Sequence, residues 1–201
     1  MLSIGSKMTN AWSDFFPGSP TTNYKSQTYT SRQYSSSGTG VYVSHCLFIG
    51  CTPASDGGAL YCSSSVTYFL VESTSFFSCK TSSDWGGAIR SDTNQFVLYK
   101  VCGYDCYPTY SSGSSGQFAF IRTNNDSSGK SCINYSSISR CMNTNSNSHY
   151  MLYIYYGKIY IPSVNISTNR CQYYSGIYCS PSVDSSSITC SLSYSSFADN
   201  N

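Results

Sequence analysis

Charge is scarce in this chain. Of 201 residues, 11 are Lys or Arg and 9 are Asp or Glu, and the formal net charge is +2. A nucleic-acid surface needs a basic stripe and a charge-driven disordered segment needs runs of one sign, and neither is present. Histidine occurs only at His45 and His149, and glutamate only at Glu72. With so few imidazoles, and with Cys46/Cys51 and Cys102/Cys106 unaccompanied by a second pair at finger spacing, no structural zinc site is expected. Gly113-Ser-Ser-Gly116 lacks the following Lys and helix of a phosphate-cradling loop. No apolar run reaches the length of a membrane span, and the best stretch, Tyr150 to Ile161, is broken by Gly157 and Lys158 and reads as two strands. Met1 to Lys7 holds no apolar stretch of the kind a secretory signal requires.

What the chain does have is 20 Tyr, 10 Phe and 44 Ser. That mixture points to β-strands joined by polar turns. There are also eleven cysteines, an odd number, so at least one thiol is unpaired within the chain.

A repeat is visible in the spacing. Phe48-Ile-Gly-Cys51 is followed by Gly57-Gly-Ala-Leu60, and Phe76-Phe-Ser-Cys79 by Gly86-Gly-Ala-Ile89. Projecting the Cys anchor forward gives Cys51, Cys79, Cys106, Cys141, Asn169 and Asn200. Eight residues before each anchor stand Val43, Val71, Leu98, Ile133, Ile161 and Leu192, all aliphatic. Ten before stand Val41, Phe69, Phe96, Ser131, Ile159 and Cys190; three before stand Phe48, Phe76, Gly103, Ile138, Ile166 and Phe197. Only Ser131 and Gly103 break these columns. The Gly-Gly feature decays to Gly116-Gln-Phe-Ala-Phe120 and His149-Tyr-Met-Leu152, then returns as Ser175-Gly176-Ile177-Tyr178-Cys179.

Core positions two apart, such as Val41 and Val43, fit one face of a strand. Phe48 and Cys51, three apart, share a core only if the chain bends between them. A unit of about 28 residues with short strands, bends and Gly-rich turns suits one coil of a parallel β-helix, in which like residues stack along the axis and no coil is stable alone. The Cys column is then a ladder of reduced, buried thiols, which Asn169 and Asn200 can continue by hydrogen bonding along the stack. The fold expected is all-β, a parallel β-helix of five to six coils over residues 41–201. Residues 1–40 are expected to be a poorly ordered Ser/Thr/Tyr-rich lead, with room for a partial coil from Tyr24 to Tyr34 and no capping helix. The last copy stops at its anchor, so the solenoid is expected to be truncated there. Open strand edges of this kind favour end-to-end self-association.

The pairing of Phe-x-x-Cys/Asn with Gly-Gly-Ala-Ile/Leu, in Phe48 to Leu60, Phe76 to Ile89 and Phe197 to Asn200, resembles the repeat of polymorphic outer-membrane proteins. It is similar also to the Cys- and Tyr-rich β-helix families of parasitic protists. The resemblance implies a right-handed, pectin-lyase-like solenoid, a cell-surface or secreted location, and an adhesin-like role toward a host surface protein or a glycan.

Chemistry is sparse. A β-helix lyase or glycosidase, the main alternative, needs clustered carboxylates with Lys or Arg nearby. The one pair at matching places is Asp56 and Asp84, with Arg90 downstream; the plain reading is Asp before a Gly turn. Glu72 and Lys100 have no partner that spacing identifies. His45 and Cys46 are adjacent in a strand and face opposite ways, which makes them a poor catalytic pair. His149 sits in a polar loop. No catalytic residue, cofactor site or metal site is therefore assigned. Outward tyrosines, namely Tyr150, Tyr153, Tyr155, Tyr156 and the Tyr173-Tyr174 pair, form a candidate aromatic strip, although tyrosine also simply fills outward strand positions. Asn125, Asn134 and Asn165 head glycosylation acceptor triplets, meaningful on a secretory route.

Overall fold

The computed structural model describes residues 11–110, 115–141, 149–171, 176–182 and 189–200. They form a right-handed parallel β-solenoid of about five turns, preceded by a short coil and followed by an incomplete one. The short coil comprises β1 (Thr22–Lys25), β2 (Thr28–Tyr29) and β3 (Gln33–Ser35). Next come β4 (Gly38–Ser44), β5 (Leu47–Ile49) and β6 (Leu60–Cys62). The third coil has β7 (Val66–Glu72), β8 (Ser75–Phe77), β9 (Lys80–Thr81) and β10 (Ile89–Ser91). The fourth has β11 (Gln95–Tyr99), β12 (Cys102–Tyr104), β13 (Tyr107–Pro108) and β14 (Ala119–Arg122). In the fifth and sixth the first two strands fuse, giving β15 (Lys130–Ser139) with β16 (Leu152–Tyr155), and β17 (Lys158–Ser167) with β18 (Ile177–Ser180). The incomplete coil contributes β19 (Cys190–Leu192) and β20 (Ser196–Ala198). Tyr150 to Ile161 does divide into two strands, with Gly157 at positive φ between them.

The sequence columns are the structural columns. Val41, Phe69, Phe96, Ser131, Ile159 and Cys190 pair in register from coil to coil, as do Phe48, Phe76, Gly103, Ile138, Ile166 and Phe197. Parallel strands lie about 4.8 Å apart, so matched side chains stack at that repeat. Tyr29 lies on Phe48 and Phe48 on Phe76, with ring centroids 5.0 and 5.1 Å apart. Gly103 leaves a gap in this column, and the ring of Phe118 fills it, edge-on to Phe76 at 5.7 Å. The earlier coils carry Ala59 and Ala88 at that corner, so a large residue appears where its neighbour is missing.

The bend required between Phe48 and Cys51 is a left-handed residue immediately before every anchor: Gly50, Ser78, Asp105, Arg140, Thr168 and Asp199, with φ between 52° and 60°. The first five anchors are buried and Asn200 is half-buried. The backbone N–H of Cys79 donates to the sulfur of Cys106 (3.4 Å), and that of Cys106 to Cys141 (3.3 Å). Cys141 N–H donates to Asn169 Oδ1 (2.9 Å), and Asn169 N–H to Asn200 Oδ1 (3.1 Å). Sulfur and amide oxygen thus occupy one ladder and do the same job. Hydrogen bonding to Cys106, together with burial, pushes the Cys79 thiol up to about 12, so it stays protonated and unreactive.

Asn169→Ala is expected to leave the Cys141 N–H without its acceptor and the Ile138 carbonyl without the Asn169 Nδ2 donor, at a cost of about 2–3 kcal/mol. Asn169→Cys keeps an acceptor for Cys141 and should cost markedly less. Urea unfolding midpoints of the two variants check the order.

The partial coil expected from Tyr24 to Tyr34 is present: residues 22–35 form a coil whose β1 and β2 pair with β4 and β5, so the described part of the lead is ordered. A short helix, α1 (Trp12–Phe15), also precedes Val41. It lies on the side of the first sheet, not over its end. The reason is an outward column, Tyr42, Leu70 and Val97, that is apolar where outward residues would ordinarily be polar. Ala11, Trp12 and Phe16 cover it. Gly40 lacks the Cβ that would collide with the Trp12 indole. Met1 to Lys7 lies outside the described residues. Among the described residues no helix is long and apolar enough to cross a membrane.

Candidate functional site

The second sheet runs β3, β6, β10, β14, β16, β18. The central residue of each strand points outward, and register places Tyr34, Tyr61, Arg90, Phe120, Tyr153 and Tyr178 in one line. Stacking follows from the strand spacing: ring centroids are 5.2 Å apart for Tyr34/Tyr61, 4.9 Å for Phe120/Tyr153 and 4.7 Å for Tyr153/Tyr178. Because the rings face one another, they present their edges and phenolic oxygens to solvent. Burial, with the neighbouring phenols adding to it, raises the pKa of Tyr153; burial, with Asp92 adding and Arg90 opposing, raises that of Tyr61. Both phenols therefore remain hydrogen-bond donors at neutral pH.

Arg90 is the one rung that is not aromatic. Its guanidinium lies 4.1 Å from the Phe120 ring centre and 4.5 Å from that of Trp85, which stacks on Phe120 at 5.2 Å. Only 4% of Arg90 is exposed. Asp92 accepts from Arg90 Nε (2.9 Å) and Nη2 (3.1 Å) and from Arg122 Nε (2.7 Å), binding two arginines with one carboxylate. Arg90 Nη1 makes no hydrogen bond. The guanidinium thus packs on the aromatic faces of Phe120 and Trp85 at the rung where a ring is missing.

Two shallow pockets, each of about 310 Å³, flank the line. One is walled by Trp85, Ser115, Phe120, Arg122, Tyr153, Tyr155 and Tyr156. The other is formed by Arg32, Tyr34, Ser55, Asp56 and Tyr61, with Arg32 donating to the Ser55 hydroxyl and to the Asp56 carbonyl oxygen (2.9 Å).

Of the outward tyrosines singled out from the sequence, Tyr153, Tyr155 and Tyr156 line the first pocket, and Tyr150 packs beside them, 5.4 Å from Tyr153 and 4.7 Å from Tyr178. Tyr173 and Tyr174 lie outside the described residues. Tyr34, Tyr61, Trp85 and Phe120 were not singled out, although Tyr34, Tyr61, Arg90, Phe120 and Tyr153 follow one another at steps of 27, 29, 30 and 33 residues along the repeat. Asn125 is exposed in the loop before β15, Asn134 is half-buried on the outer face of β15, and Asn165 is exposed on β17 and accepts from Ser196 Oγ (3.0 Å).

The carboxylates take separate roles. Asp56 accepts from the Ser83 hydroxyl and from Trp85 N–H, as a turn residue does. Asp84 has a raised pKa, first from burial and then from the charge of Asp56. Arg90, placed with these two by spacing, pairs instead with Asp92, because side chains at positions 90 and 92 both leave the outer edge of β10 while Asp56 belongs to the preceding turn. Glu72 is buried and accepts the Tyr42 phenol; Lys100 lies over the Tyr99 ring at 4.9 Å. Cys46 is buried and its thiol donates to the Ser44 carbonyl, whereas His45 is exposed at a left-handed corner. His149 is half-buried, its ring 5.7 Å from that of Tyr150. Among the described residues no three His, Cys, Asp or Glu side chains gather at metal-binding distance. No protein-family model, no curated protein and no solved structure matches this chain.

Proposed function

We propose that the chain is a non-catalytic β-solenoid module, adhesin-like in action, that binds through the exterior of its second sheet. The observation that carries this reading is the line from Tyr34 to Tyr178, a row of hydroxyls and aromatic edges at about the strand repeat. The guanidinium charges beside it are met internally by Asp92 and by turn oxygens, so the surface favours an extended, hydroxyl-rich, largely uncharged chain, such as a glycan, over a polyanion. Trp85 and Tyr156 supply ring surface at the side of the row, where a sugar can stack. A host protein surface is the competing partner. A carbohydrate-active enzyme is the second reading, drawn from Asp84, whose carboxyl is held above the ordinary range beside Asp56.

The test is a glycan array with calcium present and chelated, followed by titration of any ligand found. Trp85→Ala and Tyr153→Ala are each expected to weaken binding about tenfold. Binding unchanged in both variants, or confined to protein targets, would overturn the glycan reading. Release of sugar products that stops in Asp84→Asn would establish the enzyme instead.

A further inference from the structure

Seven of the eleven cysteines are buried, most of them inside the stack, and Cys102 and Cys132 sit on separate strands of the first sheet. Cys179 and Cys190 differ from the rest. Cys179 is the inward residue of β18, stacked on Ile154, and Cys190 the inward residue of β19, stacked on Ile159. Ile154 and Ile159 flank the corner where one sheet passes into the other, and both are fully buried in the same core. One coil later the same corner carries a cysteine at each of these two inward places, and Cys190 is near enough for its charge to add to burial in raising the pKa of Cys179. Here the stack is thin: Cys190 is exposed and Cys179 half-buried, so a small reagent can reach the pair.

We infer that Cys179 and Cys190 are a redox-active dithiol that closes to a disulfide and ties β18 to β19 across the corner of the terminal coil. The oxidant is a small-molecule disulfide of the glutathione type. The Cys190 thiolate attacks one of its sulfurs, forming a mixed disulfide and releasing one thiolate; the Cys179 thiolate then attacks the Cys190 sulfur and expels the second. The protein loses two protons and two electrons, and the reagent is reduced to two thiols. The order follows from exposure, because Cys190 faces solvent while burial holds Cys179 chiefly in its thiol form. The ladder cysteines Cys51, Cys79, Cys106 and Cys141 cannot react in this way, because solvent does not reach them.

The experiment incubates the folded full chain with oxidised glutathione, blocks remaining thiols with N-ethylmaleimide, and maps peptides after cleavage before aspartate. Asp184 is the only acid between the two cysteines, so cleavage there separates them unless they are bonded. The expected product is one linked pair of peptides, lighter by two hydrogens than the separate thiols, in wild type and in Cys102→Ser. Cys179→Ser is expected to trap glutathione on Cys190, and Cys190→Ser to leave Cys179 free for the maleimide. Alkylation of both residues in oxidised wild type, a glutathione adduct persisting there on Cys190, or bonding of Cys190 to any other cysteine would each overturn the inference.

Discussion

Asp92→Ala is expected to lower stability by about 3–5 kcal/mol, the usual cost of leaving one partner of a buried ion pair alone. The Arg90 guanidinium packs against Trp85 and Phe120, with 5% of its side chain accessible. Asp92 is the carboxylate that offsets the loss of its hydration. Arg122, whose side chain is 48% accessible, can turn to water and suffers less. The adjoining coil supplies a control, since it carries Tyr61 and Ser63 where this one carries Arg90 and Asp92. Arg90→Tyr with Asp92→Ser makes the two coils alike at these positions, removes the buried charge together with its partner, and should recover most of the loss. Urea denaturation of wild type, single and double variants reads all three values. An Asp92→Ala midpoint within 1 kcal/mol of wild type would mean that water reaches the guanidinium.

Gly87→Ala is expected to be at least as damaging, about 4 kcal/mol or failure to fold. A Cβ there would overlap the backbone nitrogen and Cα of Tyr107 and the Gln117 carbonyl oxygen in the next coil, and backbone held by its own ladder cannot step aside. Gly87 itself donates to that carbonyl (3.0 Å), so the collision and the lost bond fall at one point. Gly50 provides the contrast. It has positive φ but nothing within 4 Å of an added Cβ, and five other coils place a non-glycine at the same corner, so Gly50→Ala should cost about 1 kcal/mol. Thermal melts followed by circular dichroism separate the two; equal melting temperatures would refute the packing argument.

The fold was readable because a solenoid writes its core as columns, and a strictly aliphatic column survives loss of the motif around it. Even the break at Gly103 had its answer in the chain, in Phe118 at a place where the two preceding copies carry alanine. The corners were less readable. Ser78, Asp105, Arg140 and Thr168 take a backbone shape usually signalled by glycine, and the stack, not the residue, imposes it. The same holds for Tyr150, which continues the Gly86 and Gly116 corner with φ of 51°. The short helix α1 escaped notice because its reason lies far away, in the apolar outward residues Tyr42, Leu70 and Val97. The aromatic strip was seen only at Tyr150 to Tyr156, where it is dense; Tyr34, Tyr61 and Phe120 join it through register alone. The pairing of Arg90 with Asp92 was not legible, because spacing along the chain does not show which outward side chains leave the same strand.

A stack of like coils behaves as a one-dimensional chain of nearest neighbours, free to unzip from either end one link at a time. The α1 segment changes that arithmetic. Trp12 touches the rings of Tyr42 and Tyr68, Phe16 stacks on Tyr68 at 4.8 Å, and Phe15 reaches Tyr99 at 5.7 Å, so a single turn of helix grips three successive coils from the side. None of the three can open without releasing the splint that also holds the other two. The result is a cooperative block of three coils, coupled beyond nearest neighbours, within a stack whose other coils are joined only to the coils next to them.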